Sequence, residues 1–245
     1  MNILITGASR GIGRATALLA GTQKGWNVGI NYLNDSIAAN SAVDEINNHP
    51  SSGKAIALQG DMTREEDVLR IFSTFEKTYG KINGVVINAG ITAPALPLAD
   101  MSLERLKKIF DTNILGPYLT ARECARRIPT GGSIVIVSSA ASRLGAPNEY
   151  VDYAGSKGAM DTLTTGLSKE LGPRGVRVNA VRPGIIKTEI HERGTQDGGR
   201  VERLGVTTPL GRAGESEGVA GAVVWLLGEG VSYVTGAVVD VAGGR

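Results

Sequence analysis

Short runs rich in Ile and Val alternate along this chain with longer stretches of helical periodicity. The runs predict strands near 2–6, 26–31, 54–59, 83–88, 132–138, 176–182 and 236–240. The longer stretches predict helices near 11–23, 35–48, 64–79, 102–128, 152–172 and 217–228. Strands that take turns with helices pair in parallel, because each helix carries the chain back across a sheet face. The expected fold class is therefore α/β: one doubly wound domain over 1–245, with a mainly parallel seven-stranded sheet and helices on both faces. No composition shift, linker or repeat divides it.

Three interruptions stand out. Gly116 and Pro117 fall inside 102–128 and predict a kink or break. "GTQKGW" at 21–26 predicts a ragged end to the first helix, with Gly21 disfavoured in its interior. The segment 189–214 is the longest without strand character and reads as a lid or binding loop.

Composition narrows the function. Of 245 residues, 42% are apolar and 20% charged, ordinary for a globular protein with a sizeable core. A net charge of +2, no strongly basic window and only 4% aromatic residues exclude nucleic acid as the expected partner. The longest apolar runs fall far short of the ~18 residues that span a bilayer, so no membrane partner is expected. "MNILITG" reads as a strand and not a leader, and a cytoplasmic location is the expectation. Cys124 is the one cysteine, which excludes an intrachain disulfide and suggests a small buried residue. His49 and His191 stand apart from any carboxylate cluster, and no metal site is expected.

The first strand leads into "ILITGASRGIGRA", a glycine-rich turn opening a helix. Gly7, Gly11 and Gly13 let the backbone turn sharply and let a phosphate approach main-chain N–H groups at the helix's positive end. The spacing is Gly-x-x-x-Gly-x-Gly. With "NAG" (88–90), "YAGSK" (153–157), "RPG" (182–184) and "YVTGAVVDVAGG" (233–244), "TGASRGIG" (6–13) resembles the short-chain dehydrogenase/reductase family, in the expected order over essentially the whole chain.

That resemblance implies a Rossmann domain whose dinucleotide meets Gly7, Ser9, Arg10, Gly11, Ile12 and Gly13. It places Asp61 and Met62 beside the adenine, though Thr63 and Glu66 also read as a capping box there. Asn88, Ala89 and Gly90 would let the chain pass close to the cofactor. Pro183 and Gly184 would form a rigid turn, with Ile186 main-chain groups and the Thr188 hydroxyl meeting the nicotinamide amide or pyrophosphate. At the tip of the second strand stand Asn31 and Tyr32, where a carboxylate would favour NAD. With Arg10 nearby, an amide and a guanidinium favour NADP(H) and leave NAD(H) open. Asp35, a few residues on, reads as a helix cap.

On a helix, Tyr153 and Lys157 lie one turn apart, about 6 Å along the axis, and Tyr150 roughly 10 Å from Lys157. A free phenol, with a pKa of about 10, is a poor acid–base catalyst near neutrality, but a nearby ammonium favours phenolate. Distance selects Tyr153. The resemblance implies Ser139 as the holder of the substrate oxygen, with Ser138 and Ser142 as alternatives, and Asn113 as the residue holding water beside Lys157. Lys157 would also bind the nicotinamide ribose.

Together these readings point to hydride transfer between nicotinamide and a small carbonyl or alcohol substrate, with Tyr153 as general acid or base. The alternative is a noncatalytic NADP sensor or scaffold on the same fold. Substrate choice would lie in 140–152 and 189–214, and Arg143, Arg193, Arg200 and Arg203 are candidates for a basic patch that a carrier-protein substrate would need. Tyr150 would shape the pocket. The resemblance also implies a homo-oligomer, tetramer or dimer, through the helices near 102–128 and 152–172 and the last strand.

Overall fold

The computed structural model describes residues 1–189 and 199–245. Its strands are β1 (Asn2–Ile5), β2 (Asn27–Tyr32), β3 (Ala55–Gln59), β4 (Gly84–Ile87), β5 (Ser133–Val137), β6 (Arg177–Pro183) and β7 (Val238–Val241). They form one parallel sheet in the order β3-β2-β1-β4-β5-β6-β7. The helices are α1 (Gly11–Leu18), α2 (Ser36–Asn48), α3 (Glu65–Tyr79), α4 (Leu103–Phe110), α5 (Gly116–Arg127), α6 (Ala141–Leu144), α7 (Val151–Leu171), α8 (Arg200–Gly205) and α9 (Ser216–Leu227).

Uninterrupted apolar strands follow from burial on both sides, since successive side chains point to opposite faces. In β5, Ile134 and Ile136 pack with Phe72, Phe75 and Met160, contributed by α3 and α7. Val135 and Val137 join Ala17, Val219 and Val223, from α1 and α9, on the other face. Each of these Val, Ile, Phe and Met side chains, when buried, contributes about 1.5–3 kcal/mol. β1 splits the same way, Ile3 and Ile5 to one cluster and Leu4 to the other.

β1 pairs with β2 on one side and β4 on the other. The chain therefore reverses its travel across the sheet at this pair, and a crevice opens at their carboxyl ends.

Three local expectations are corrected or refined. The 102–128 helix is neither continuous nor broken: α4 and α5 are joined by a π-helical turn at Asp111–Leu115. Pro117 sits in the first turn of α5, and because it has no N–H, the carbonyl four residues before it, that of Asn113, receives no helical bond from it. The first helix likewise closes in a π turn, Leu19–Gln23, with Gly21 buried inside it. No capping box forms before α3. Arg64 is the N-cap without a side-chain bond, the Thr63 hydroxyl donates to Asp61 Oδ1 at 2.8 Å, and Glu66 pairs with Arg64. Glu65, Glu66 and Asp67 in the first turn favour the positive end of the helix instead. Asp35 does cap α2, accepting from the Ala38 N–H at 3.0 Å. Cys124 is fully buried, and burial pushes its thiol up. Among the described residues no helix is long and apolar enough to cross a membrane.

Candidate active site

The two loops at the crevice are packed main chain against main chain. Gly7 has φ +62°, and a Cβ there would stand 2.8 Å from Ala89 Cα. One on Gly13 would stand 2.6 Å from the Gly7 carbonyl oxygen and 2.7 Å from Asn88 Nδ2. Asn88 Nδ2 donates to the carbonyls of Thr6 and Gly7, at 2.9 Å each. The Thr6 hydroxyl oxygen in turn accepts from the N–H groups of Asn88 and Ala89, at 2.9 and 3.0 Å. Thr6 escaped the residue-by-residue sequence reading, although it lies within "TGASRGIG". It pins the two loops together.

Over these loops lies a cleft of about 700 Å³, lined by Gly7, Ser9 to Ile12, Asn31 to Asp35, Asp61, Met62, Asn88 to Ile91 and Thr188. A dinucleotide fits this donor set. The N-terminus of α1 has no side-chain cap to compete with a phosphate, Arg10 stands at the rim, and the glycine cradle has no room for a Cβ. Thr188 closes the far wall: a Cβ on Gly11 would meet its methyl at 3.5 Å. Gly13 lies beneath the cleft and holds its shape.

At the tip of β2 the structure corrects the role read for Asn31. Its amide was expected to accommodate a phosphate, but it is 1% exposed and spent on the main chain. Oδ1 accepts from the Gly7 N–H at 3.1 Å, and Nδ2 donates to the carbonyls of Leu58 and Gly60 at 3.2 and 3.1 Å. Asn31 fastens the glycine turn to β3, while Tyr32, Leu33 and Asn34 form the wall. Arg10 faces two carboxylates at long range, Asp35 at 4.0 Å and Glu189 at 3.9 Å. Asp61 Oδ1 is engaged by the Thr63 N–H and hydroxyl, and its own N–H donates to Asp67 Oδ2 at 2.9 Å.

Across the cleft, a second cavity of about 450 Å³ contains Tyr153, Lys157 and Ser139. The three serines have separate fates. Ser138 is buried, donating to the Lys157 carbonyl at 3.1 Å. Ser139 Oγ accepts from the Ala141 N–H at 3.1 Å and shares the cavity with Tyr153, whose phenol it draws down. Ser142 Oγ is buried with no partner among the described residues. Neighbours at a strand end face opposite ways, and only Ser139 meets the tyrosine.

Lys157 is 5% exposed; its ammonium donates to the Val137 carbonyl at 2.8 Å and lies 5.6 Å from the centre of the Tyr153 ring. Asn113 is held inward by the π turn. Its Oδ1 accepts from the Ile91 N–H at 2.8 Å, while Nδ2 donates to the Ile91 carbonyl at 2.9 Å and to Ser156 Oγ at 3.1 Å. Both amide protons are used, so the side chain clamps the loop after β4. One Oδ1 lone pair and the main-chain carbonyl are left for holding water. Gly90 sits between the pair: a Cβ there would be 3.3 Å from Asn113 Oδ1 and 3.5 Å from Lys157 Nζ.

The electrostatics also differ from expectation. Burial pushes the Tyr153 phenol up, with the Ser139 hydrogen bond pulling the other way. Lys157 was expected to lower the phenol, yet burial draws Lys157 itself down to about 8, against the pull of Asp161. In a dry site, removing water from a charged form outweighs a single neighbouring charge. The protein's own groups therefore hold the tyrosine as a protonated donor.

Tyr150 is placed differently from the helical estimate. It is the N-cap of α7, with non-helical φ −143° and ψ 44° and its carbonyl accepting from the Ala154 N–H at 2.8 Å, and is 7% exposed in the wall of the second cavity. The turn before it is strained, with Gly145 at φ 75°, Ala146 at 44° and Asn148 at 61°. Arg200 of α8 covers Tyr150, its guanidinium 5.0 Å from the ring centre, and bonds Glu149 Oε1 at 3.0 Å. The expected basic patch is thereby weakened, since Arg200 pairs with Glu149 and Arg143 with Asp240 at 3.2 Å. Arg203 is exposed on α8, whereas Arg193 and His191 lie outside the described residues. Pro183, Gly184 and Ile186 line this cavity, Ile186 bridging to Gly214 and Thr188 Oγ donating to the Ile186 carbonyl at 3.4 Å. Among the described residues no group of His, Cys, Asp and Glu could hold a metal ion.

Comparison with known proteins accords with this geometry. Residues 7–245 match the family model described as enoyl-(acyl carrier protein) reductase. The chain is 46% identical to the uncharacterized oxidoreductase YgfF of Escherichia coli, covering 99% of this chain and 98% of that one. It is 37% identical to an L-rhamnose 1-dehydrogenase (NAD(P)(+)) of Sphingomonas sp., over 99% and 94% of the two. A variant of a Serratia marcescens short-chain dehydrogenase/reductase superposes with a TM-score of 0.91 at 27% identity, covering 99% and 96%. An oxidoreductase with a nicotinamide cofactor is the consequence, and the chain belongs to the short-chain dehydrogenase/reductase family.

Proposed function

We propose that this protein is an NADP(H)-dependent oxidoreductase that interconverts a small carbonyl compound and its alcohol, with Tyr153 as the general acid or base. The observation carrying this reading is Tyr153 in one cavity with Ser139, its ring centre 5.6 Å from the buried Lys157 ammonium, beside a cleft whose donors suit a dinucleotide. Bound nicotinamide would supply or take up the hydride. The glycine turn, Asp61, Met62, Asn88 to Gly90 and the 183–188 segment would hold the cofactor, and Lys157 its ribose.

In reduction, the Ser139 hydroxyl would hold the substrate oxygen and Tyr153 would deliver its phenol proton to that oxygen. Oxidation runs in reverse, with the phenolate accepting the hydroxyl proton. Lys157 stabilises that phenolate, and Asn113 secures the loop that borders Lys157. Preference for the 2′-phosphate rests on Arg10, which is part-exposed at the rim and held by carboxylates only at 4.0 and 3.9 Å. The L-rhamnose 1-dehydrogenase relative is named for both NAD and NADP, so we take selectivity as a matter of degree. A noncatalytic sensor would have no use for a serine–tyrosine pair beside a buried lysine. Exposed Leu103, Phe110, Leu115 and Tyr118 along α4 and α5 support a homo-oligomer through that face; a solution mass of one chain overturns it.

The test is nicotinamide absorbance with NADPH and NADH in parallel over a panel of small aldehydes and ketones. Tyr153→Phe is expected to keep NADPH binding and lose turnover by about 10²–10⁴-fold. Near-normal turnover in that variant overturns the assignment.

A further inference from the structure

Tyr153 lies in the first turn of α7, too early in the helix for its N–H to find a helical acceptor. The neighbouring carboxylate takes that N–H: Asp152 Oδ1 accepts from it at 2.9 Å. Asp152 is in turn held by Arg105 of α4, whose Nε donates to Oδ2 at 2.8 Å and Nη2 to Oδ1 at 3.3 Å. The remaining arm, Nη1, donates to the Pro94 carbonyl at 2.5 Å. The Asp152 side chain is fully buried and that of Arg105 is 12% exposed. Pro94 lies in the loop after β4, whose Thr92 lines both the dinucleotide cleft and the cavity of Tyr153. Asn113 ties that loop at Ile91, and the Glu149 carbonyl accepts from the Leu96 N–H at 3.0 Å. Between those two ties, Arg105 joins the middle of the loop to the residue next to the phenol.

We propose that Arg105 and Asp152 are positioning residues for Tyr153: their buried ion pair fixes the first turn of α7 against the loop that borders both cavities, and so sets where the phenol stands beside the cleft. This rests on Tyr153 being the general acid or base. The pair acts through the main chain of Tyr153 and through the loop at Pro94. Taking two charges out of water offsets much of what their attraction returns, so apolar side chains of the same volume would hold α4 to α7 about as firmly. What the ion pair adds is direction. A planar guanidinium presents its donors in a fixed fork, and this fork meets the carboxylate and the Pro94 carbonyl together. Proton transfer depends on that direction, since a misplacement of about 1 Å costs on the order of 10²-fold in rate.

The test reads position and turnover separately. The tyrosines of the full chain are replaced by meta-fluorotyrosine, and the Tyr153 fluorine NMR signal is assigned by its loss in Y153F. R105Q/D152N removes both charges at similar volume and leaves no lone buried charge behind. It is expected to move the Tyr153 signal and to lower kcat by about 10–100-fold on the best substrate of the aldehyde and ketone panel, with NADPH affinity unchanged. R105K keeps the charge and loses the fork, so its signal and kcat are expected between those of the wild type and the double variant. It also serves alone should the double variant fail to fold. An unmoved Tyr153 signal, or a loss of kcat matched by an equal loss of NADPH affinity, overturns the proposal. Failure of the Tyr153 assignment would appear separately, as turnover retained in Y153F while the fluorine signal still moved in R105Q/D152N.

Discussion

The cleft over β1 and β4 and the cavity over β5 and β6 are made of different materials. The first is main chain: glycine turn against Ala89, with the side chains of Thr6, Asn31 and Asn88 turned inward to hold backbone groups. The second is side chains on a shared helix and strand end, roofed by a strained turn and by Arg200. A cofactor common to many reactions asks for a fixed cradle, whereas a substrate site must hold reactive groups and let its walls vary. Damage to the first should therefore act through backbone collision, and damage to the second through lost chemistry.

The sharpest contrast sits between two adjacent serines. S139A is expected to lower kcat by about 10²–10³-fold with cofactor affinity intact, as for loss of a donor to a developing oxyanion. S138A should leave turnover near normal and cost about 1 kcal/mol in a denaturant melt, because its hydroxyl serves the Lys157 carbonyl. Equal kinetic losses in both would erase the distinction.

Next in size is R10A, which should weaken NADPH by about 10–100-fold in equilibrium binding and leave NADH nearly unchanged. Equal weakening of both would move phosphate recognition elsewhere.

G13A should follow, destabilising by about 1–3 kcal/mol in a denaturant melt, since its Cβ would press on the Gly7 carbonyl at 2.6 Å. G155A is the control at the chemical end. Nothing lies within 4 Å of a Cβ at Gly155, so the same substitution should stabilise by about 0.4–1 kcal/mol and spare turnover.

The smallest effect concerns the roof. Arg200 holds the Glu149 carboxyl below its ordinary value. A lowered carboxylate contributes stability above its unfolded pKa and loses it as pH falls through the folded one. Thermal melts should therefore show a modest acid-side loss that E149Q removes; an identical acid limb in E149Q would deny that the contact matters.

Much of this was legible before any coordinates. The Ile and Val runs announce parallel strands because both faces are buried, and "TGASRGIG" and "YAGSK" announce the two ends of the site. Less legible were roles that depend on what a side chain meets. Asn31 read as a phosphate neighbour, yet the pairing of β2 with β3 and the nearness of Gly7 consume its amide. Tyr150 read as a helical residue, yet the strained turn before it makes it the N-cap, with non-helical angles. Helical spacing shows the charge of Lys157 beside Tyr153 but not the desolvation that draws the lysine down.

The sequence by itself determined the sheet, the order of its elements and the placing of Tyr153 one turn from Lys157, because periodicity, turn residues and helical spacing are local. The tertiary structure alone decided which serine neighbours the phenol, which amides are spent, and that Arg182 grips Asp161 across from α7. Those answers depend on which strand ends lie side by side and on how much water is left between them.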